Sequence, residues 1–336
     1  MATSAQIRAL FESYLERDDE RFQTYAMQIA AHEAKLGHGK LAQELRDLLD
    51  NARKKRAQAE LSGKTIPLVQ PQGELARLLS ASYPKTRLSE MILSDDIASH
   101  IDRIISEQQH IEQIATHGLS PRRKFLLIGP PGTGKTMTAF ALAGELHQPL
   151  FVIRLESIIT KFMGETSAKL RIVFDALQKH RGVYLFDEFD SIGAMRSAVN
   201  DVGEIRRVLN SFLQFIDHDS SESMILAATN YPQILDYALF RRFDDVIEYS
   251  LPDKAQIKKL LENKLAGFAG PNIDSKELAA FADGLSFAEI SRAIEDAIKE
   301  MIIEDKKSVT GKTIEIMLEQ RKKYHSRIEN NYPKQR

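Results

Sequence analysis

The sequence predicts an α/β fold: a parallel β-sheet layered with helices, carrying a small all-α unit before it and a second all-α unit after it. Three features point there. Apolar runs of strand length alternate with helix-period segments between about residues 87 and 251, a glycine-rich octapeptide joins one such run to a helix, and past Leu251 only helical periodicity remains. Strands buried on both faces read as continuous apolar runs, which is the pattern here.

In chain order, apolar residues recur at helical spacing from residue 5 to about 56: Ile7, Leu10, Phe11 and Tyr14, then Phe22, Tyr25 and Ile29, then Leu41, Leu45 and Leu48. Gly37-His38-Gly39 interrupts them, so residues 1–58 are expected to form a short-helix docking domain. His32-Glu33 and His38 do not make a zinc-protease pair, which needs histidines four apart on one helical face. Residues 59–86 hold Pro67, Pro71 and Pro84 with Gly63 and Gly73 and read as a linker with at most a turn or two of helix. Helical pattern returns at Arg87, and Ser94-Asp95-Asp96 caps a long helix running toward His117-Gly118. Strands are expected at 125–128, 150–153, 183–186, 224–230 and 246–249, with a helix over 167–180. Together these make a large α/β unit over 87–251. Helices near 254–266, 274–282, 286–305 and 312–325 make a helical lid unit over 252–336.

The octapeptide is Gly129-Pro130-Pro131-Gly132-Thr133-Gly134-Lys135-Thr136, between the apolar run Phe125-Leu126-Leu127-Ile128 and a helical pattern opening at Met137. Its spacing is that of a phosphate-binding loop: glycines let backbone N–H groups wrap a β-phosphate, Lys135 neutralises β/γ oxygens, and the Thr136 hydroxyl can hold Mg²⁺. A flexible turn would account for the glycines but not for Lys-Thr at a helix start after a buried strand. About fifty residues later Val183-Tyr184-Leu185-Phe186 ends in Asp187-Glu188. Asp187 is suited to a Mg²⁺ water shell and Glu188 to orienting or deprotonating an attacking water, so the pair implies hydrolysis of a nucleoside triphosphate rather than binding alone. In an open parallel sheet the ligand lies at the carboxyl ends of the strands, where the loop, Asp187, Glu188 and Asn230 all fall.

At 336 residues the chain is long for one core. Its 46 basic and 47 acidic residues nearly cancel, which gives no field favouring nucleic acid or an anionic membrane. Nor does Arg53-Lys54-Lys55-Arg56 need a nucleic-acid partner, since such runs commonly solvate helix ends. The absence of cysteine excludes a disulfide framework and suits a reducing compartment. Without an 18-residue apolar run or a signal-like N-terminus, the expectation is a cytoplasmic protein with no membrane partner.

Five motifs stand in order: Gly-Pro-Pro-Gly-Thr-Gly-Lys-Thr at 129–136, Lys-Phe-Met-Gly-Glu at 161–165, Asp-Glu-Phe-Asp-Ser-Ile-Gly at 187–193, Ala-Ala-Thr-Asn at 227–230 and Ala-Leu-Phe-Arg-Arg-Phe-Asp at 238–244. With them, the region from about Arg87 to Tyr324 resembles the AAA ATPases, in the single-ring remodelling branch that includes katanin and spastin. The resemblance implies an ATP- and Mg²⁺-dependent ATPase core that assembles as a homo-oligomer, a hexameric ring, and works on a protein. It makes Asn230 a sensor that helps position water, and Arg241 and Arg242 fingers that reach a neighbour's γ-phosphate. Lys161, Phe162, Met163 and Gly164 become a pore loop that grips substrate. Met137 joins the phosphate contacts, and Met91, Ile92, Ile257 and Ala288 stand where relatives meet adenine. Ala288 occupies the place of a lid arginine found in other branches. Two alternatives to a motor follow: an ATPase switch controlling an effector, such as the subtilisin-like serine proteases that accompany stand-alone bacterial ATPases of this look, and a DNA-remodelling ATPase, for which no helix-turn-helix or basic lid is visible.

Overall fold

The computed structural model describes residues 71–158, 163–190, 202–235, 237–270 and 273–331. Residues 1–70 lie outside that set, as does the expected docking domain within them.

The described chain opens with α1 (Leu75–Leu78) and β1 (Leu79–Ser82), then a 3-10 turn at Leu88–Glu90, α2 (Asp95–Gln109) and α3 (Ile111–Thr116). Next come β2 (Lys124–Ile128), α4 (Lys135–Glu145), β3 (Leu150–Ile153), α5 (Leu155–Ile158), α6 (Met163–Lys179) and β4 (Val183–Phe186). The sheet is completed through α7 (Val202–His218), β5 (Met224–Thr229), α8 (Tyr237–Phe240) and β6 (Asp245–Glu248). Four helices follow: α9 (Lys254–Leu265), α10 (Ser275–Phe281), α11 (Phe287–Ile303) and α12 (Gly311–Asn331).

The six strands lie in the order β1-β3-β4-β5-β2-β6, and all pairings are parallel except β1 with β3. Strand β1 corrects the linker boundary. Leu79 to Ser82, read from sequence as the end of a tether, pair in register with Ile153 to Leu150, and Leu78 and Leu79 are buried. Leu-Ser-Ala-Ser carries no strong strand propensity, so the partner strand decides the conformation. The long helix expected after Ser94 is two helices that meet at His110. Its start is as read: Ser94 Oγ accepts the Ile97 N–H at 3.3 Å.

Both faces of the sheet are covered. On one, Ile97, Ile101 and Ile104 of α2 and Ala139, Leu142 and Ala143 of α4 bury Phe125, Leu127, Val183, Leu185 and Leu226. On the other, Phe174 of α6 and Phe212 of α7 pack on Phe186, with ring centroids 6.0 and 5.1 Å away. Successive residues of β4 thus serve opposite faces. A second core, around Ile257, Leu261, Ile290, Ile294, Ile314 and Leu318, belongs to the four C-terminal helices. Among the described residues no helix is long and apolar enough to cross a membrane.

Candidate nucleotide site

The octapeptide is held in its curve by backbone that only glycine adopts readily. Gly129, Gly132 and Gly134 have φ of 143°, 75° and 105°. Gly129 also lies so close to β6 that a Cβ there would fall 2.2 Å from the Tyr249 carbonyl oxygen. Tyr249 is fastened on both sides: its N–H donates to Ile128 O at 2.7 Å, and its hydroxyl lies 2.6 Å from Thr138 Oγ1 on α4. Burial pushes that hydroxyl's pKa up to about 12, with the Thr138 contact opposing. The floor beneath the loop is therefore a neutral, fixed hydrogen-bonded pair.

Lys135 opens α4 and is almost wholly buried. Its ammonium donates to Gly129 O at 2.8 Å and Pro130 O at 2.7 Å, the loop's own carbonyls. Burial lowers its pKa, while the carboxylates of Asp187 and Asp190 act the other way. A desolvated cation whose hydrogen bonds go to neutral carbonyls is suited to an anionic oxygen. Thr136 Oγ1 donates to Asp187 Oδ2 at 2.8 Å. This brings a hydroxyl and a carboxylate together at the carboxyl ends of β2 and β4, a donor set that fits a hard divalent cation.

Glu188 is exposed and stands at φ 49°, one of three non-glycine residues with positive φ among those described. Its N–H donates to Asp187 Oδ1 at 2.9 Å. Holding a glutamate there costs of order 1–3 kcal/mol, and such strain concentrates where a side chain is being presented. Asp190 then ties the tips of β4 and β5. Its Oδ1 accepts Thr229 Oγ1 at 3.0 Å and the Asn230 N–H at 3.1 Å. The sequence showed Asp190 only as a letter in a motif, because its partners are forty residues away and meet it only through the β4–β5 register.

Gly132 meets the C-terminal helices. Its carbonyl accepts the Ala288 N–H at 3.1 Å, and a Cβ on it would lie 2.7 Å from Ser286 Oγ and 2.9 Å from Ala288 Cβ. Ser286 caps α11 by a capping box with Glu289. Met91 Cε lies 3.5 Å from where a Cβ of Gly134 would stand, Ile92 packs against the C-terminal core, and Met137 is exposed. Ile257 has no exposed surface and sits inside that core. Arg292, a turn beyond Ala288, is exposed.

Arg241 and Arg242 follow α8 and are both exposed, and Arg242 pairs with Asp217 of α7 at 2.8 Å. The next residues enter β6, whose Asp245 is in register with Phe125 at the start of β2, whereas the phosphate loop leaves the other end of β2 after Ile128. At about 3.3 Å per residue, the arginines stand about 10 Å or more from their own loop along the strand. Of the expected pore loop, Gly164 is exposed in the first turn of α6, and Lys161, Phe162 and the Met163 side chain lie outside the described residues.

Residues 125–251 match the family described as ATPase family associated with various cellular activities (AAA). An uncharacterized AAA family ATPase, y4kL, of Sinorhizobium fredii is 35% identical over 309 residues, covering 92% of both chains. The chain belongs to the AAA family of ATPases. Over its ATPase region this AAA protein is also similar to ATP-dependent zinc metalloproteases FtsH. The Helicobacter pylori protein is 33% identical over 235 residues, 67% of this chain and 37% of that one. The Rhodococcus erythropolis protein is 33% identical over 230 residues, 66% and 27% of the two chains. Against the FtsH proteins the chain thus spans between about a quarter and a half of their length.

Proposed function

We propose that this AAA ATPase is a Mg²⁺-dependent protein-remodelling motor of the single-ring, katanin- and spastin-like kind. The reading rests on one arrangement: Thr136 bonded to Asp187, beside a glutamate held at positive φ, at the mouth of a loop whose buried lysine donates to the loop's own carbonyls. Thr136 and Asp187 would hold the Mg²⁺, which supplies charge neutralisation at the phosphate oxygens. Lys135 and the loop N–H groups grip the β- and γ-phosphates. Glu188 orients the attacking water, Asn230 steadies it from the tip Asp190 fixes, and Arg241 and Arg242 stabilise transition-state charge on a neighbouring subunit in a hexameric ring. Likeness to FtsH over the ATPase region supports protein as the thing acted on.

The competing reading is a switch that controls an effector, such as a serine protease, without threading it. Phe162→Ala separates the two. A motor needs the aromatic grip, so work on a protein partner is lost while the melting temperature and ATP turnover stay within experimental spread. If Phe162 is instead core, the change costs about 3–5 kcal/mol and the protein melts many degrees lower. A stable, ATP-hydrolysing variant that still controls its partner rejects threading in favour of the switch.

A further inference from the structure

A strap of chain, residues 84–92, lies along the helix that follows the phosphate loop. We propose that the clasp between Arg87 and Glu145 sets the register in which this strap meets the nucleotide base, making both specificity-determining positioning residues. The inference rests on reading Met91 and Ile92 as the base-facing segment.

The strap is pinned at the C-terminal end of α4. Arg87 Nη1 donates to Gly144 O and to Glu145 Oε2, both at 3.1 Å, and the Leu88 N–H donates to Glu145 Oε1 at 3.1 Å. Both oxygens of one carboxylate are therefore engaged by consecutive residues of the strap. Gly144 is the residue the crossing requires, because a Cβ there would fall 2.1 Å from Thr86 O. From the pin the strap turns tightly: the Arg87 N–H donates to Glu90 Oε1 at 3.0 Å and the Met91 N–H to Leu88 O at 2.9 Å. Its far end comes near the phosphate loop, with Met91 Cε 3.5 Å from where a Cβ of Gly134 would stand, and packs on the C-terminal core through Ile92.

The 11 residues of α4 make it about 16 Å long, so the clasp is remote from the phosphates and acts only through the strap. A single 3-10 turn joins clasp to Met91, which leaves little slack. Main-chain recognition of a base edge depends on hydrogen bonds that weaken over a few tenths of an ångström. Sliding the strap should therefore blunt discrimination between an amine and a carbonyl at the purine 6-position, while the phosphate grip of Lys135 and the loop remains.

The test is equilibrium binding of fluorescent ATP and GTP analogues to the full chain, for wild type, Glu145→Ala, Glu145→Gln and Arg87→Ala. In Glu145→Ala the ATP analogue should weaken about tenfold and the GTP analogue much less, so the ratio shrinks. Glu145→Gln should fall between, because its amide oxygen still accepts the Leu88 N–H. A role in folding alone would lower the melting temperature and weaken both analogues in proportion, which overturns the proposal. Should Glu145→Ala fail to fold, Arg87→Ala, which keeps the Leu88 bond, carries the same test with a smaller shift. Wild type that binds both analogues equally ends the base-facing reading and the inference with it. Wild-type discrimination that persists in the variants overturns the clasp alone.

Discussion

The phosphate end and the arginine end of the sheet are built on opposite principles. At the first, groups close on one another within a single chain: Lys135 on its loop, Thr136 on Asp187, Asp190 on the Asn230 backbone, Tyr249 on Thr138. At the second, two adjacent arginines are exposed at the opposite end of β2 and β6 from the loop they would have to serve. Their separation from their own phosphate loop is set by strand register, which no side-chain rotation removes. That separation is what the proposed supply of arginines by a neighbouring subunit would require.

The sharpest way to break that contrast is to damage each end separately. Changing Arg241 and Arg242 together to alanine should leave ATP binding near wild type and lower turnover by about 10³–10⁵, whereas Lys135→Ala should abolish binding measured by calorimetry. Arginine variants that bind ATP poorly would place those residues at their own chain's nucleotide.

Asp190 sharpens the phosphate end. Asp190→Ala leaves the Thr229 hydroxyl and Asn230 N–H without their acceptor, and the loss of bonds to a charged group should cost about 2–3 kcal/mol of stability and lower kcat at unchanged ATP KM. Asp190→Asn keeps an acceptor oxygen and should restore most of kcat. If both variants behave alike, the charge rather than the tie is what matters.

The smallest effect belongs to an ion-pair tie at the arginine end of β2 and β6. Glu107 accepts Arg122, which also pairs with Asp245 at 2.8 Å, and the Arg122 hydrogen bonds hold the Glu107 carboxyl below its usual 4.5, with burial opposing. A depressed carboxyl adds stability that is present above the unfolded pKa and is lost as pH falls through the folded one. Glu107→Gln should therefore cost under about 1 kcal/mol at pH 7, and the gap to wild type in chemical denaturation should close below about pH 4.5. A gap that is flat across that range would remove the carboxylate as its source.

Much of this was legible in sequence because the site is local. Loop, lysine and threonine are consecutive, and four strands start and stop within a residue of where apolar runs do. What sequence hid is long-range. Leu79 to Ser82 become a strand only beside Ile153 to Leu150, Asp190 finds its partners through β5, and Arg87 meets Glu145 across 58 residues. Propensity reports on none of these, since each is decided by which segment lies next to which.

The central claim, that each site takes its arginines from a neighbouring subunit, is tested most directly by mixing two inactive proteins. Glu188→Gln subunits keep their arginines, and subunits with alanine at 241 and 242 keep Glu188. At interfaces where an intact Glu188 site faces intact arginines, hydrolysis should return, so the mixture should turn over ATP well above either component. Mixtures as inactive as their components, although labelled subunits exchange, would contradict it.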